Sequence, residues 1–421
     1  MGHAVSIAAA AGLLACGDAH VVPDASPALD GPTSPPRVES SQLCKLLSNR
    51  NTSDPTPNDV QHRANVLGAD LGIPVVHDDR LFLLFGDTIG FAGIWSPAES
   101  HPDAIGFGSD PASAIAGQPS LLCNDLRVVT LAPAQSVGPG VDPSVVADFA
   151  AGAMTAPSGH AIGEYIHNPA GDNGATFPYL PGDFEVPSGA FASGDSIYVF
   201  YTTVISAAQP VMTASYLARW RQPSTAGPPA YEILYAVDER GTGPLHGHFI
   251  NIAAEVDGDY VYLFGTGEYR NSAVYLARKR LDALATPGGF EELGTILPTT
   301  GYGETSVRYF PELGRWILLA EESLPLSNRI VASFAPSPTG PWSVPLIVHD
   351  MADPAFRDAY CCTTDDDCQQ QQMFNCDRTG FYGSYLLPGI AIDGAAFSIA
   401  YTLSSFSPYN VALFHATFTP P

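Results

Sequence analysis

Apolar and polar residues alternate along most of this chain in short runs, not in helical stripes, and one unit recurs: a short strand, a tight turn, then a more apolar strand. The instances are DLGIPVVHDDRLFLLFGD (70–87), EVPSGAFASGDSIYVFYTT (185–203), HFINIAAEVDGDYVYLFGTGE (248–268), ETSVRYFPELGRWILLAEE (304–322) and YLLPGIAIDGAAFSIAYTL (385–403). The turn falls at nearly the same offset each time, on HDDR, SGDS, VDGD, ELGR or IDGA. Several units are followed by another strand-like segment: MTASYLARW (212–220), SAVYLARKRL (272–281), NRIVASFAP (328–336) and NVALFHATF (410–418). Five repeats of three or four antiparallel strands predict an all-β fold, a five-bladed β-propeller, in which radial repetition leaves only short, protected edges. The plainer alternative is an irregular β-sandwich of ordinary hairpins. Pro74 fits the innermost strand of a blade, because proline cannot donate to a ladder and is tolerated at an edge.

A two-residue turn on Asp78 and Asp79 fixes a register in the first unit. Val76 then pairs with Leu81, Pro74 with Leu83, Gly72 with Phe85, and Asp70 with Asp87. Directly opposed residues point to one face with Cβ atoms roughly 4.5–5.5 Å apart. Two ionised aspartates so placed repel each other unless one is protonated or a cation or donors surround them; a one-residue bulge would undo the pairing. Aligning the repeats on their second strands brings Asp70, Glu185, His248, Glu304 and Tyr385 to comparable places around a central channel. Carboxylates and hydrogen-bonding or aromatic groups are what hydrolysis of a glycosidic bond requires. Separations of about 5–5.5 Å favour a retaining mechanism and about 6.5–9.5 Å an inverting one; Asp70 with Asp87 would fit the first, Asp70 with Glu304 across the channel the second.

The plainer readings are that Asp70 and Asp87 cap strand ends, that Glu304 pairs with Arg308, and that His248 beside His246 is a satisfied core histidine. Tyr385 and Trp316 read as core, and Trp342 in TGPWS as a turn anchor.

Composition narrows the partners. The chain of 421 residues carries a net charge of −25, from 43 acidic against 18 basic residues, and its only lysines are Lys45 and Lys279. Such a surface repels phosphate backbones and anionic lipid, which argues against nucleic acid and favours a neutral or cationic ligand. No nucleophile elbow or P-loop is present, so acyl-transfer and nucleotide chemistry have no motif to rest on. No cofactor or metal is called for, and a monomer is expected.

The N-terminal run Ala4 to Ala15 is too short to span a bilayer and is followed by Cys16 in LLACG. It resembles a bacterial lipoprotein signal whose Cys16 becomes lipidated, although the leader MGH lacks the usual Lys or Arg. By that resemblance residues 1–16 are a signal peptide, and the membrane is met only through the lipid anchor of an extracytoplasmic, cell-surface or outer-membrane protein. Residues 17–57, rich in Pro, Ser and Asp, read as a disordered tether, leaving 58–421 for the β domain.

Setting Cys16 aside leaves Cys44, Cys123, Cys361, Cys362, Cys368 and Cys376, an even number that suggests disulfides in an exported protein. Their fifteen possible pairings stay open. In CCTTDDDCQQQQMFNCD (361–377) the residues Asp365, Asp366 and Asp367 could bind calcium, but stapling of an exposed loop fits the flanking cysteines better.

The string LGADLGIPVVHDDRLFLLFGDT resembles the opening signature of the domain-of-unknown-function family 4185, which runs from Thr-Asp-Leu-Gly to Phe-Gly-Asp-Thr; here Ala69 replaces the threonine. YGSYLLP (382–388) resembles its closing blade, and the resemblance covers most of residues 60 to 420. It implies a five-bladed propeller glycosidase related to the endo-acting D-arabinofuranases of glycoside hydrolase family 183, which cut cell-wall D-arabinan. It also implies catalytic roles for Asp70 and Asp87. The expectation is thus a glycoside hydrolase acting on a furanose-containing polysaccharide, with Glu304 added from the ring argument and Glu185, His248 and Tyr385 as substrate contacts. The rivals are a non-catalytic carbohydrate-binding propeller and a purely structural surface protein.

Overall fold

The computed structural model describes residues 36–48, 56–58, 60, 66–90, 103–129, 180, 184–205, 211–225, 231–324, 327–363, 368, 371–406 and 408–420. The segment read as a signal peptide with Cys16, most of the span read as a tether, most of the insertion between residues 90 and 180, and Asp365 to Asp367 lie outside these. Among the described residues the strands form four antiparallel sheets.

The chain enters as β1 (Arg37–Ser48). One sheet follows the chain as β2 (Val66–His77), β3 (Arg80–Gly90), β4 (Ile105–Gly108) and β5 (Leu126–Val128). The next runs β6 (Phe184–Ser193), β7 (Ser196–Val204), β8 (Met212–Arg221) and β9 (Tyr231–Glu239). A seven-stranded sheet holds β10 (Asn251–Asp257), β11 (Tyr260–Thr266), β12 (Ser272–Arg280), β13 (Glu291–Phe310), β14 (Arg315–Leu324), β15 (Ser327–Ala335) and β16 (Leu346–Asp350). The last is built from β17 (Phe381–Asp393), β18 (Ala396–Phe406) and β19 (Tyr409–Thr419), with β1 added outside β19.

Turn chemistry sets these hairpins. Asp78 and Asp79 both take left-handed backbone, with φ of 50° and 54°, so β2 and β3 close through two residues in the hand that matches strand twist. Gly194, Gly258 and Gly394 supply the same conformation at φ near 60° in the corresponding turns. The second strand of a unit is buried on both faces, as in SIYVFYTTV of β7, because each sheet packs against its neighbours. Phe82 of β3 meets Trp220 of β8 at 5.4 Å, and Phe334 of β15 meets Phe418 of β19 at 5.3 Å. The apolar cores lie between successive sheets, and the first strands of the five repeated units form a ring: β2 lies beside β6, β6 beside β10, β10 beside β13, β13 beside β17, and β17 beside β2. The fold is all-β and propeller-like.

β1 corrects the reading of 17–57 as a tether. Arg37–Ser48 pairs residue by residue with β19, from Arg37 opposite Thr419 to Ser48 opposite Asn410. The local sequence RVESSQLCKLLS is unremarkable alone, but its Leu46 and Leu47 are buried against the first and last sheets. Burial of that face offsets the ordering entropy that a Pro/Ser-rich neighbourhood would leave unmet.

Three disulfides form among the described residues: Cys44–Cys123, Cys361–Cys376 and Cys362–Cys368. The first ties β1 to the segment before β5, and the other two staple the loop leading into β17. Lys45 and Lys279 are both buried and donate to backbone carbonyls, Lys45 to Cys368 and Lys279 to Thr286 and Gly288.

Candidate active site

The hairpin register holds near the turn and fails at the site. Val76 faces Leu81 and Pro74 faces Leu83, but an extra residue enters β2 at Gly72, so that Leu71 faces Phe85 and Asp70 faces Gly86. Leu71 and Gly72 are both left-handed (φ 63° and 88°), the mark of a bulge. Asp70 and Asp87 are therefore not directly opposed. Gly86 is what admits the displaced acid: a Cβ there would lie 2.6 Å from Asp70 Oδ1.

Each aspartate takes a hydrogen bond from a tyrosine of the last sheet. Tyr382 Oη donates to Asp70 Oδ2 at 2.7 Å, and Tyr409 Oη donates to Asp87 Oδ2 at 3.1 Å. Asp70 is 6% exposed. Burial and then the Asp87 charge, with a further push from Glu304, hold its carboxyl well above the usual aspartate range, although Tyr382 and Arg270 pull the other way.

A third aspartate joins them. Asp103 lies just before β4, positioned because Thr88 Oγ1 accepts from the Ala104 amide at 2.9 Å and the Ala104 carbonyl accepts from the Phe85 amide at 3.0 Å. Burial, then the charges of Glu185, Asp87 and Asp70, push the Asp103 carboxyl well up. Glu185, at the start of β6 and 2% exposed, thus reaches the site through Asp103.

Opposite stands a pair with a cation. Arg270 is 3.3 Å from Glu304 and 3.1 Å from Glu321. Burial alone would raise both carboxyls. At Glu304 the guanidinium and hydrogen bonding, including that with Glu321, win, and its carboxyl is lowered. At Glu321, fully buried and accepting from Ser323 and Asn328, burial and the Glu304 charge prevail over Arg270, and the carboxyl is held well above the usual range. One proton between two acids is the arrangement expected when like charges share a buried site.

Of the six residues read from the sequence, the structure gathers Asp70, Asp87, Glu185, Glu304 and Tyr385. The Tyr385 hydroxyl is buried, and its ionisation is opposed by burial, Glu304 and Asp70. His248 falls elsewhere: it sits in the turn before β10 and stacks flat on Tyr275 of β12 at 3.7 Å. β10 begins at Asn251, a buried amide three residues after His248. The Glu304–Arg308 pairing considered from sequence gives way to Glu304–Arg270.

Sequence reasoning missed Asp103, Arg270, Glu321, Tyr382 and Tyr409. A signal existed for one of them. Glu304 and Glu321 stand the same seventeen positions apart as Asp70 and Asp87, at corresponding ends of their units.

Further along the central strands, Pro74, Ser188, Ala253, Ser306 and Tyr385 line a cavity of about 20 Å³. That volume suits a water molecule, not a sugar ring. Among the described residues no group of three or more His, Cys, Asp or Glu is arranged to hold a metal ion, and no helix is long and apolar enough to cross a membrane. Chemically, the arrangement offers carboxyls biased to keep a proton beside one biased to lose it.

The family model described as "Domain of unknown function (DUF4185)" matches residues 180–415, a span that includes Glu185, Arg270, Glu304 and Tyr385 and begins after Asp70, Asp87 and Asp103. No curated protein sequence matches the chain. Among solved structures, a Bacteroides ovatus ATCC 8483 protein provisionally named a hydrolase is similar at 12% identity and TM-score 0.51, over 85% of this chain and 87% of that one. A thermostable family-43 glycoside hydrolase is similar at 13% identity and TM-score 0.42, over 83% and 91%. An endo-arabinase from Bacteroides thetaiotaomicron VPI-5482 is similar at 12% identity and TM-score 0.41, over 88% and 97%. Of these three, the first bears on the fold, and at that identity on the fold alone.

Proposed function

We propose that this chain, which belongs to the DUF4185 family, is a glycoside hydrolase with Asp70 as its proton donor and Asp87 as the carboxylate that attacks the anomeric carbon. The observation that carries the reading is a division between two neighbouring acids, each held by its own tyrosine: burial and the Asp87 charge bias Asp70 to keep its proton. Glycoside hydrolysis needs such a division, because one group must protonate the leaving oxygen while a carboxylate supports the developing positive charge at carbon. In the retaining order Asp87 bonds to carbon as the glycosidic bond breaks and the Asp70 proton passes to the leaving oxygen. Water, giving its proton back to Asp70, then releases the sugar. Tyr382 and Tyr409 hold the two carboxyls in place.

The substrate proposed is a neutral furanose-containing polysaccharide, with cell-wall D-arabinan cut internally as the first candidate. The opening signature around Asp70 and Asp87 supports that choice, and the acid-rich mouth disfavours anionic glycans. The same proposal takes the sheets as five blades, since β13, twenty residues long, pairs with β12 through its first half and β14 through its second. It also takes the protein as extracytoplasmic and lipid-anchored at Cys16, supported by LLACG and by three disulfides.

Incubation of the full chain with arabinogalactan, followed by chromatography of released oligosaccharides, tests the activity. Release should vanish in Asp70→Asn and in Asp87→Asn. Release that persists in both variants would overturn the assignment, and binding with no release by the wild type would favour a carbohydrate-binding role.

A further inference from the structure

Six large apolar side chains are exposed among the described residues, and one of them adjoins the acids. Phe406, 47% exposed, ends β18 and pairs with Tyr409, the tyrosine that holds Asp87. Its ring lies 6.4 Å from that of Tyr382, the tyrosine that holds Asp70. The Arg270 guanidinium stands 4.8 Å over the Tyr382 ring, and the same guanidinium lies 4.6 Å over Tyr269. Phe406 is thus the exposed member of a group beside the acids in which Tyr382 itself is buried. Exposed Ile392, by contrast, lies at the hairpin end of β17, away from the mouth.

A lone exposed phenylalanine needs no explanation. One that adjoins both tyrosines holding the paired carboxyls does, because the apolar face of a sugar ring packs on an aromatic face while its hydroxyls remain in water. We infer that the exposed Phe406 marks a glycan-binding strip beside the acids, as the platform for a neutral sugar ring next to the one being cut. The strip rests on the glycoside hydrolase reading and deepens it by naming a neutral glycan. The cation near it, Arg270, is already engaged by Glu304 and Glu321, so it offers no site for uronate or sulfate.

Calorimetry on the full chain carrying Asp70→Asn, titrated with an arabinan hexasaccharide and separately with a galacturonan hexasaccharide, tests this. Adding Phe406→Ala should weaken arabinan binding about tenfold, the loss expected for one aromatic contact. Adding Phe406→Trp should hold binding within about twofold, which a merely structural role for Phe406 would not achieve. Unchanged arabinan binding in Phe406→Ala overturns the strip, as does galacturonan bound as tightly as arabinan. Absence of any arabinan binding also overturns it; release of oligosaccharides from arabinogalactan by the wild type then decides whether the hydrolase reading falls with it or survives alone.

Discussion

Two units of this protein each carry a pair of acids seventeen positions apart at the ends of their hairpin, and treat them differently. In the unit of Glu304 and Glu321 a guanidinium sits against both carboxyls, and the result is one lowered and one raised acid. In the unit of Asp70 and Asp87 tyrosine hydroxyls donate to both carboxyls. Hydroxyl donors lower a carboxyl less than a full charge does, so burial and the neighbouring acids keep Asp70 high. An ion pair makes the first arrangement a brace. In the second, burial and the neighbouring charges leave Asp70 holding a proton it can give up.

The largest effect expected is on the pair held by tyrosines. Asp70→Asn keeps the shape of the side chain and removes its transferable proton, so oligosaccharide release should fall about a thousandfold, within the range typical of a lost general acid. The next is on the brace. Arg270→Ala leaves Glu304 and Glu321 buried without a countercharge and should cost about 3 kcal/mol in urea denaturation, at the lower end for a broken buried pair because Arg270 keeps 21% of its side chain exposed.

A smaller change sharpens the difference further. Tyr382→Phe removes a donor that lowers Asp70, so the carboxyl should rise further and release should drop about tenfold, with the pH–rate profile displaced upward. A Tyr382→Phe profile that coincides with the wild type would separate Tyr382 from the chemistry.

The smallest effect is a pair of opposite signs in stability against pH. Asp70 is raised in the fold, so the stability it contributes is present below its ordinary value of 3.8 and is lost as pH rises through the folded value. Asp70→Asn should therefore be more stable than wild type at neutral pH, by on the order of 1 kcal/mol, and lose that advantage in acid. Glu304 is lowered, so its contribution is present above 4.5 and is lost as pH falls through the folded value. Glu304→Gln should be less stable than wild type at neutral pH and approach it in acid. Denaturation series at several pH values would check both, and parallel curves for the two variants would erase the distinction between the units.

The all-β architecture was legible because its turns are local. Asp78–Asp79 and Gly194–Asp195 announce two-residue hairpins in four or five letters, and the apolar run after each turn marks the buried second strand. The register at Asp70 was not, because the Gly72 bulge answers to packing from the last sheet: a Cβ on Gly72 would lie 3.0 Å from Val411 and 3.3 Å from Thr402. β1 was hidden for a related reason, since its partner strand is at the other end of the chain. Within the site, Asp70, Asp87 and Glu304 were found because they stand at the ends of repeats. Asp103 stands outside any repeat and arrives through Thr88, while Arg270 and Tyr409 occupy loop and strand-end positions whose neighbours only the ring of sheets defines. His248 misled because the third unit begins its strand three residues later, at Asn251.

The protonation of Asp70 is the point on which everything above depends, and it can be observed without any substrate. Infrared difference spectroscopy of the wild type against Asp70→Asn, followed from acid to neutral pH, isolates the carbonyl stretch of that one carboxyl. A protonated-carboxyl band that is present in the wild type well above 3.8 and absent from the variant is the expected result. A band that disappears at or below that value would mean Asp70 is an ordinary ionised aspartate and not the proton donor.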